Sequence, residues 1–205
     1  VVQSSAVALP YGLEGALIME LSMRHRISVG EKALTVNSRE STGDDILDEA
    51  LATLTQAKRT RDLKYWIARP NSLVKGLKQR LLDRLVGRGV LKTEEHHFLW
   101  LIPYNRYPTL DAAPERDIRQ RVHDVVLHGA EADEPTALLV TLVHACDLAK
   151  EVFPGRDVRE VKRRLKEFSE GAQVSKVVSD QVTAVTMMII TSCITTSMIT
   201  TMNTS

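Results

Sequence analysis

The sequence predicts a mainly α protein, a single helical domain with a projecting hydrophobic β-hairpin. Apolar residues recur at helical spacing along most of the 205-residue chain. Strands and helices do not alternate, which argues against a nucleotide-binding α/β fold. An apolar run from Phe98 to Leu101, in an otherwise polar stretch, marks the hairpin.

The N-terminal half is predicted to fold as helices around a short strand region. Its expected elements are a buried helix over 13–23, two short strands or an irregular link over 27–36, a helix capped by Thr42 or Asp44 and reaching about Thr55, and a helix over 58–68.

A basic helix is predicted to precede the hairpin. Pro70, Asn71 and Ser72 break the preceding helix and supply a cap, so the basic helix should begin directly after Ser72. Lys75 and Lys78 are three residues apart and would then project from one side of that helix. The apolar stripe expected to pack on the core is formed by Leu73, Leu77, Leu81 and Leu85.

Four further helical segments are predicted after the hairpin, over 118–127, 136–153, 158–168 and 182–190. The domain is therefore expected to span residues 1–190, followed by a Thr/Ser-rich tail over 191–205. The chain opens at Val1 in the middle of a pattern, which predicts a truncated N-terminus.

Composition restricts the kind of partner. Lys and Arg number 27 and Asp and Glu 26, so any anion site must come from local clustering of cations. Cys146 and Cys193 lie in unlike contexts, which makes a disulfide framework improbable and predicts a reducing compartment.

Several polar groups could suggest catalysis, but their placement favours structural roles. His144 and Cys146 lie about 200° apart on a helix and do not face each other. The adjacent rings of His96 and His97 diverge on a strand, which makes a poor metal pair. We therefore predict no catalytic residues, no cofactor and no metal site. The acidic group at the start of a helix is explained by the helix dipole; it consists of Asp44, Asp45, Asp48 and Glu49.

The hairpin alternates its side chains between two faces. Phe98 and Trp100 share one face, and Leu99 and Leu101 share the other. One face is expected to pack on the body of the domain, while the other inserts into lipid or meets a second subunit. The alternative is a hairpin that packs wholly on the core of its own domain.

Two arginines continue the basic helix at a spacing of four residues. Arg80 and Arg84 either extend the basic surface or pair with carboxylates, and the spacing favours neither interpretation. The carboxylates considered as partners are Asp83, Glu94 and Glu95.

Four blocks resemble successive blocks of the Golgi phosphoprotein 3 family, in family order. They are GLEGALIMELSMRHRISV (12–29), TGDDILDEAL (42–51), LKQRLLDRLVGRGVLKTEEHHFLWL (77–101) and LLVTLVHACDLAKEVF (138–153). The resemblance implies a helical domain with a hydrophobic hairpin that binds phosphatidylinositol 4-phosphate at the cytosolic face of the Golgi. It also implies binding of short cytoplasmic tails of glycosyltransferases.

The family's headgroup pocket is only half retained. Its two basic helix residues match Lys75 and Lys78, but its Arg falls at Glu14 and its Trp near Ser5. Each basic residue gains about 1 kcal/mol at an anionic surface, so reversing one charge is expected to weaken binding about 30-fold. These departures indicate a divergent member, and bacterial relatives without a Golgi belong to the family.

The favoured interpretation is a non-catalytic peripheral membrane adaptor, cytoplasmic and membrane-associated, that binds a phosphoinositide or related anionic lipid. Its expected partners are an anionic membrane, a second copy through the hairpin, and, in a eukaryote, tails of membrane enzymes. One alternative is a winged-helix-like nucleic-acid binder, although the near-neutral charge argues against nucleic acid. The other is a lipid-independent domain for protein interaction or oligomerisation.

Overall fold

The computed structural model describes residues 4–30, 33–98, 102–171, 187–188 and 191. The main elements of this part of the chain are helices, which confirms the mainly α prediction. The helices are α1 (Ser4–Met23), α2 (Asp45–Gln56), α3 (Leu63–Ile67), α4 (Leu77–Gly87), α5 (Ala113–His128), α6 (Glu134–Ala145), α7 (Ala149–Val152) and α8 (Val158–Glu170). The strands are β1 (Ile27–Val29), β2 (Leu34–Val36), β3 (Glu94–Phe98) and β4 (Ile102–Arg106).

Helix α1 lies at the centre of the fold and is longer than predicted. It begins at Ser4 and continues through Pro10, whereas the periodicity predicted a start at Leu13. Ile18 and Leu21 are completely buried, and the helix contacts α2, α3, α4, α6 and β1. The segment Ala6–Met23 is long and apolar enough to cross a membrane by length and composition, but half of it is buried within the domain.

The close approach of α1 to α6 depends on Gly12. A Cβ atom at this position would lie 2.2 Å from Sγ of Cys146, so no larger residue fits without a shift. Cys146 is buried, as expected for the structural role that the sequence favoured. Burial also lowers the pKa of His144 below its usual value, because the charged imidazolium loses hydration there.

The segment around Gly30 forms strands and not an irregular link. Ile27 pairs with Val36 and Val29 with Leu34 in an antiparallel ladder. The amide of Leu34 donates to the carbonyl of Arg61, which ties this ladder to the segment before α3.

Two of the predicted helices are interrupted. The helix expected over 58–68 exists only as Leu63–Ile67, because Asp62 is an extended N-cap that accepts the amide of Tyr65. The helix expected over 136–153 is broken after Ala145, and α7 is a separate turn.

The break after Ala145 is a helix-termination motif. Asp147 has a left-handed φ of 55°, its amide donates to the carbonyl of His144, and the amide of Leu148 donates to that of Val143. Such a motif ends a helix inside an apolar run, where periodicity alone predicts continuation.

The predicted last helix over 182–190 lies largely outside the described residues. Met187 and Met188 are helical, but Met187 is 40% exposed, so this position is not buried as predicted. Apart from Thr191, the tail over 191–205 also lies outside them.

Candidate functional site

The candidate site lies at residues 69–78, which form the loop that leads into α4 and the first two residues of that helix. The basic helix starts at Leu77 with Gly76 as its N-cap, four residues later than predicted. Lys75 therefore lies in the turn before the helix, and only Lys78 belongs to it. The expectation that both lysines share one helical face is wrong.

Local sequence explains this late start. Asn71 and Gly76 both have a φ of 63°, in the left-handed region that does not continue a right-handed helix. Leu73 and Val74 are buried between these two points and attach the loop to the core. Of the predicted leucine stripe, Leu73 and Leu77 are buried, Leu81 is partly buried and Leu85 is 36% exposed.

The start of α4 is a favourable place for an anion. Gly76 supplies no capping side chain, and the first intrahelical bond runs from the amide of Arg80 to the carbonyl of Gly76. The amides of Leu77, Lys78 and Gln79 consequently have no acceptor among the described residues. Free amides and the helix dipole together attract negative charge.

Lys75 and Lys78 add two full positive charges to this helix end. Both side chains are exposed. Neither ammonium forms an ion pair with a described carboxylate. Their charge is therefore available to an external anion.

Arg80 and Arg84 have the opposite surroundings. Arg80 binds Asp45 at 3.0 Å and also Glu49, while Arg84 binds Asp44 at 2.6 Å and also Asp45. Both arginines are thus paired with carboxylates, which was one of the two interpretations of the sequence. Their partners lie at the start of α2, whereas the sequence had suggested Asp83, Glu94 or Glu95. A basic extension through Arg80 and Arg84 would need these ion pairs to open.

Asp44 is one of the two N-cap candidates of α2 that the sequence offered. Asp44 is the N-cap and accepts the amides of Ile46 and Leu47. Desolvation opposes ionisation of Asp44, but the hydrogen bond from Arg84 and those amides lower its pKa below the ordinary value.

Glu14 differs most from its sequence-based interpretation. Its side chain is only 1% exposed and does not present a negative charge to the surface. Oε1 accepts the amide of Asn71 at 2.7 Å and Oε2 accepts that of Leu73 at 3.2 Å. The expectation of a simple charge reversal facing a headgroup is therefore wrong.

Burial dominates the ionisation of Glu14. Loss of hydration raises its pKa to about 7, although the hydrogen bonds from the loop amides act in the opposite direction. A signal for this burial exists in the sequence. Glu14, Ile18 and Leu21 follow the four- and three-residue spacing of one helical face, and the latter two are completely buried.

The hairpin exists as predicted. β3 and β4 pair antiparallel from Glu94 opposite Arg106 to Phe98 opposite Ile102. Leu99, Trp100 and Leu101 lie outside the described residues, as do the side chains of Phe98, His96 and His97. Ser5 belongs to α1, but its side chain is likewise outside the described part. The assignment of hairpin faces therefore stays a prediction.

The elements described above define a helical domain with one exposed lysine in the loop before a basic helix, a second in the first turn of that helix, and a β-hairpin after it. Comparison with known proteins places this domain in a family. The family model for Golgi phosphoprotein 3 matches residues 2–185, so the chain belongs to the Golgi phosphoprotein 3 family.

A curated relative supports the same assignment. The chain is 27% identical to vacuolar protein sorting-associated protein 74 of Eremothecium gossypii, over 58% of this chain and 42% of the relative. The match thus spans less than half the length of that relative.

Proposed function

We propose that this chain is a non-catalytic peripheral membrane adaptor that binds phosphatidylinositol 4-phosphate or a related anionic lipid. Family membership supports a membrane-associated adaptor. The observation that carries the lipid proposal is the pair of exposed lysines at the uncapped start of α4, Lys75 and Lys78, which have no ion-pair partner among the described residues.

The proposed mechanism combines two weak contacts. Lys75, Lys78 and the free amides of α4 neutralise a phosphate, while one face of the hairpin adds apolar contact with the acyl region. A single membrane signal of this size binds only marginally, so both contacts are needed for stable attachment. Burying two large apolar side chains contributes roughly 3–6 kcal/mol, comparable to several basic contacts.

The proposed location is the cytosolic surface of a membrane, which in a eukaryote would be the Golgi. There the domain would bind short cytoplasmic tails of membrane enzymes. These tails, self-association through the hairpin and the identity of the lipid are parts of the proposal, supported by family membership.

Co-sedimentation with vesicles tests the headgroup site. Vesicles containing phosphatidylinositol 4-phosphate are compared with phosphatidylserine vesicles of equal charge, using the wild type and Lys75→Ala/Lys78→Ala. We expect selective binding that the double variant weakens about 30-fold, since each cation contributes about 1 kcal/mol.

A matched control removes two other exposed lysines, Lys150 and Lys166 on α7 and α8. This variant has the same net charge and should bind like the wild type. Equal losses in both double variants would show a general charge effect. Absence of wild-type binding to either vesicle would refute the lipid proposal and favour a lipid-independent interaction domain.

The hairpin is tested by substituting one face at a time. Phe98→Ser/Trp100→Ser and Leu99→Ser/Leu101→Ser should behave differently, because only one face is proposed to enter lipid. One pair should lose vesicle binding at unchanged thermal stability, and the other should lower the melting temperature. Size-exclusion chromatography with light scattering measures self-association. If the hairpin forms a dimer contact, the double variant that alters the contacting face should be monomeric.

A further inference from the structure

The loop that carries Lys75 is anchored from both sides at one residue. The amide of Leu73 donates to Oε2 of Glu14, and its carbonyl accepts the hydroxyl of Thr53 at 3.0 Å. Leu73 is therefore fixed by α1 on one side and by α2 on the other.

A second anchor lies two residues earlier. The amide of Asn71 donates to Oε1 of Glu14, so one carboxylate accepts two amides of the same turn. Ser72 between them donates its amide to the carbonyl of Arg69 and its hydroxyl to that of Trp66. These hydrogen bonds thus direct polar backbone groups of the turn toward the body of the domain, while the side chain of Lys75 is exposed.

Glu14 is suited to hold the turn because it cannot move independently of the core. It lies on the buried face of α1 with Ile18 and Leu21, both completely buried. Only one residue, Val74, separates Leu73 from Lys75, and it is also completely buried. The position of the Lys75 backbone therefore follows from the position of the Glu14 carboxylate.

We propose that Glu14 is a positioning residue for the anion site, which holds the turn at Asn71 and Leu73 so that Lys75 and the start of α4 face one anion. Glu14 does not contact the ligand, and the inference rests on the proposed lipid-binding function. The ligand chemistry is a phosphate monoester, as in a phosphoinositide headgroup.

The family resemblance leads to the opposite expectation for a substitution at Glu14. If Glu14 stood in the pocket as a misplaced charge, Glu14→Arg would restore a cation and increase lipid affinity. In the structure an arginine there would be buried and would offer donors to the amides of Asn71 and Leu73, which are donors themselves. Glu14→Arg should therefore abolish binding.

Because a buried arginine can also prevent folding, Glu14→Gln is the decisive variant. Its size is the same, but its amide group has one acceptor oxygen, so one of the two loop amides loses its partner. Glu20→Gln is the matched control, since Glu20 lies on the same helix in an exposed ion pair with Arg24.

Two quantities are measured at pH 8 on each full-length variant. Hydrogen exchange by NMR reports the amides of Asn71 and Leu73, and sedimentation reports affinity for vesicles containing phosphatidylinositol 4-phosphate. A soluble inositol phosphate is added as a competitor. It should displace the protein from vesicles if the headgroup alone is recognised, and should not do so if binding requires the lipid surface. Glu14→Gln should accelerate exchange at one or both amides and weaken vesicle binding about fivefold, the effect of losing one basic contact.

A double-variant comparison separates positioning from a general loss of stability. If Glu14 acts through the lysines, adding Glu14→Gln to Lys75→Ala/Lys78→Ala should cause no further loss of affinity. Additive losses would overturn the inference. Unchanged affinity of Glu14→Gln, or increased affinity of Glu14→Arg, would overturn it and leave the proposed function intact. Failure of the wild type to bind would overturn both.

Discussion

The two ends of one cationic stretch have opposite surroundings in this protein. Lys75 and Lys78, at the start of α4, are exposed and lack ion-pair partners among the described residues. Arg80 and Arg84, within the same helix, are paired with carboxylates at the start of α2. The two paired arginines are therefore not available to an external anion unless their ion pairs open, although a count of cations along the sequence would include them.

The comparison also explains why α2 and α4 lie together. Negative side chains at the positive end of α2 are favourable in themselves, and the arginines of α4 add further attraction. Each such exposed pair contributes little, typically below 1 kcal/mol, so the network is better understood as orienting α4 than as stabilising the domain.

The strongest test of the comparison reverses the two free charges. Lys75→Glu/Lys78→Glu should weaken binding to phosphatidylinositol 4-phosphate vesicles roughly a thousandfold, since each reversal costs about 2 kcal/mol at an anionic surface. The free energy of unfolding, measured with urea, should be nearly unchanged, because both side chains are exposed. A loss below tenfold, measured by sedimentation, would show that this end of α4 is not the anion site.

The second test concerns Glu14, whose carboxylate accepts two amides of the turn before Lys75. Its folded-state pKa of about 7 lies above its ordinary value of 4.5, so between these pH values the folded protein retains a proton that the unfolded chain has lost. Stability should therefore fall as pH rises through this window, by an amount on the order of 3 kcal/mol. Urea unfolding at pH 4.5 and pH 7.5 measures the change.

Glu14→Gln provides the reference for that measurement. The variant cannot titrate at this position, and all other groups contribute equally to both proteins. The wild type should lose more stability than the variant between the two pH values. Equal losses would contradict a raised pKa of Glu14 in the folded protein.

A third, smaller effect is expected when a paired arginine is released. Asp45→Asn/Glu49→Gln removes both partners of Arg80 while keeping Asp44 as the N-cap. The freed guanidinium should increase binding to phosphatidylserine vesicles about fivefold, the contribution of one additional cation. No gain would show that this side of α4 faces away from the membrane.

The smallest effect is expected for loss of one paired arginine. Arg84→Gln should lower the free energy of unfolding by about 0.5–1 kcal/mol, because it removes the partly exposed ion pairs of Arg84 with Asp45 and with the N-cap Asp44. Vesicle affinity should change less than twofold. A loss of vesicle affinity as large as that caused by Lys78→Ala would contradict the distinction between paired and free cations.

Elements with a simple period or a local signal could be predicted from sequence. The cap of α2, the amphipathic α8, the antiparallel hairpin and the mainly α class follow from local patterns. Interruptions were missed where a single residue adopts a left-handed conformation, as at Asp147 and Gly76. Such residues end an element without changing the apolar period on either side.

The candidate site was partly predictable for the same reason. Lys75 and Lys78 could be singled out as the cations nearest the hairpin, but their relation to the helix could not, since it depends on the turn over 71–76. The partners of Arg80 and Arg84 lie more than 30 residues away in sequence, beyond any local spacing rule.

The sequence by itself determined the fold class, the family and the position of two clustered cations before a hairpin, because these depend on local composition and period. Only the tertiary structure decided which cations are free and what Glu14 does. A charge in the sequence has a sign, but its effect depends on hydration and partners, which packing brings together from distant segments. Burial against the turn that precedes α4 converts Glu14 from an apparent repulsive charge into a hydrogen-bond acceptor for that turn.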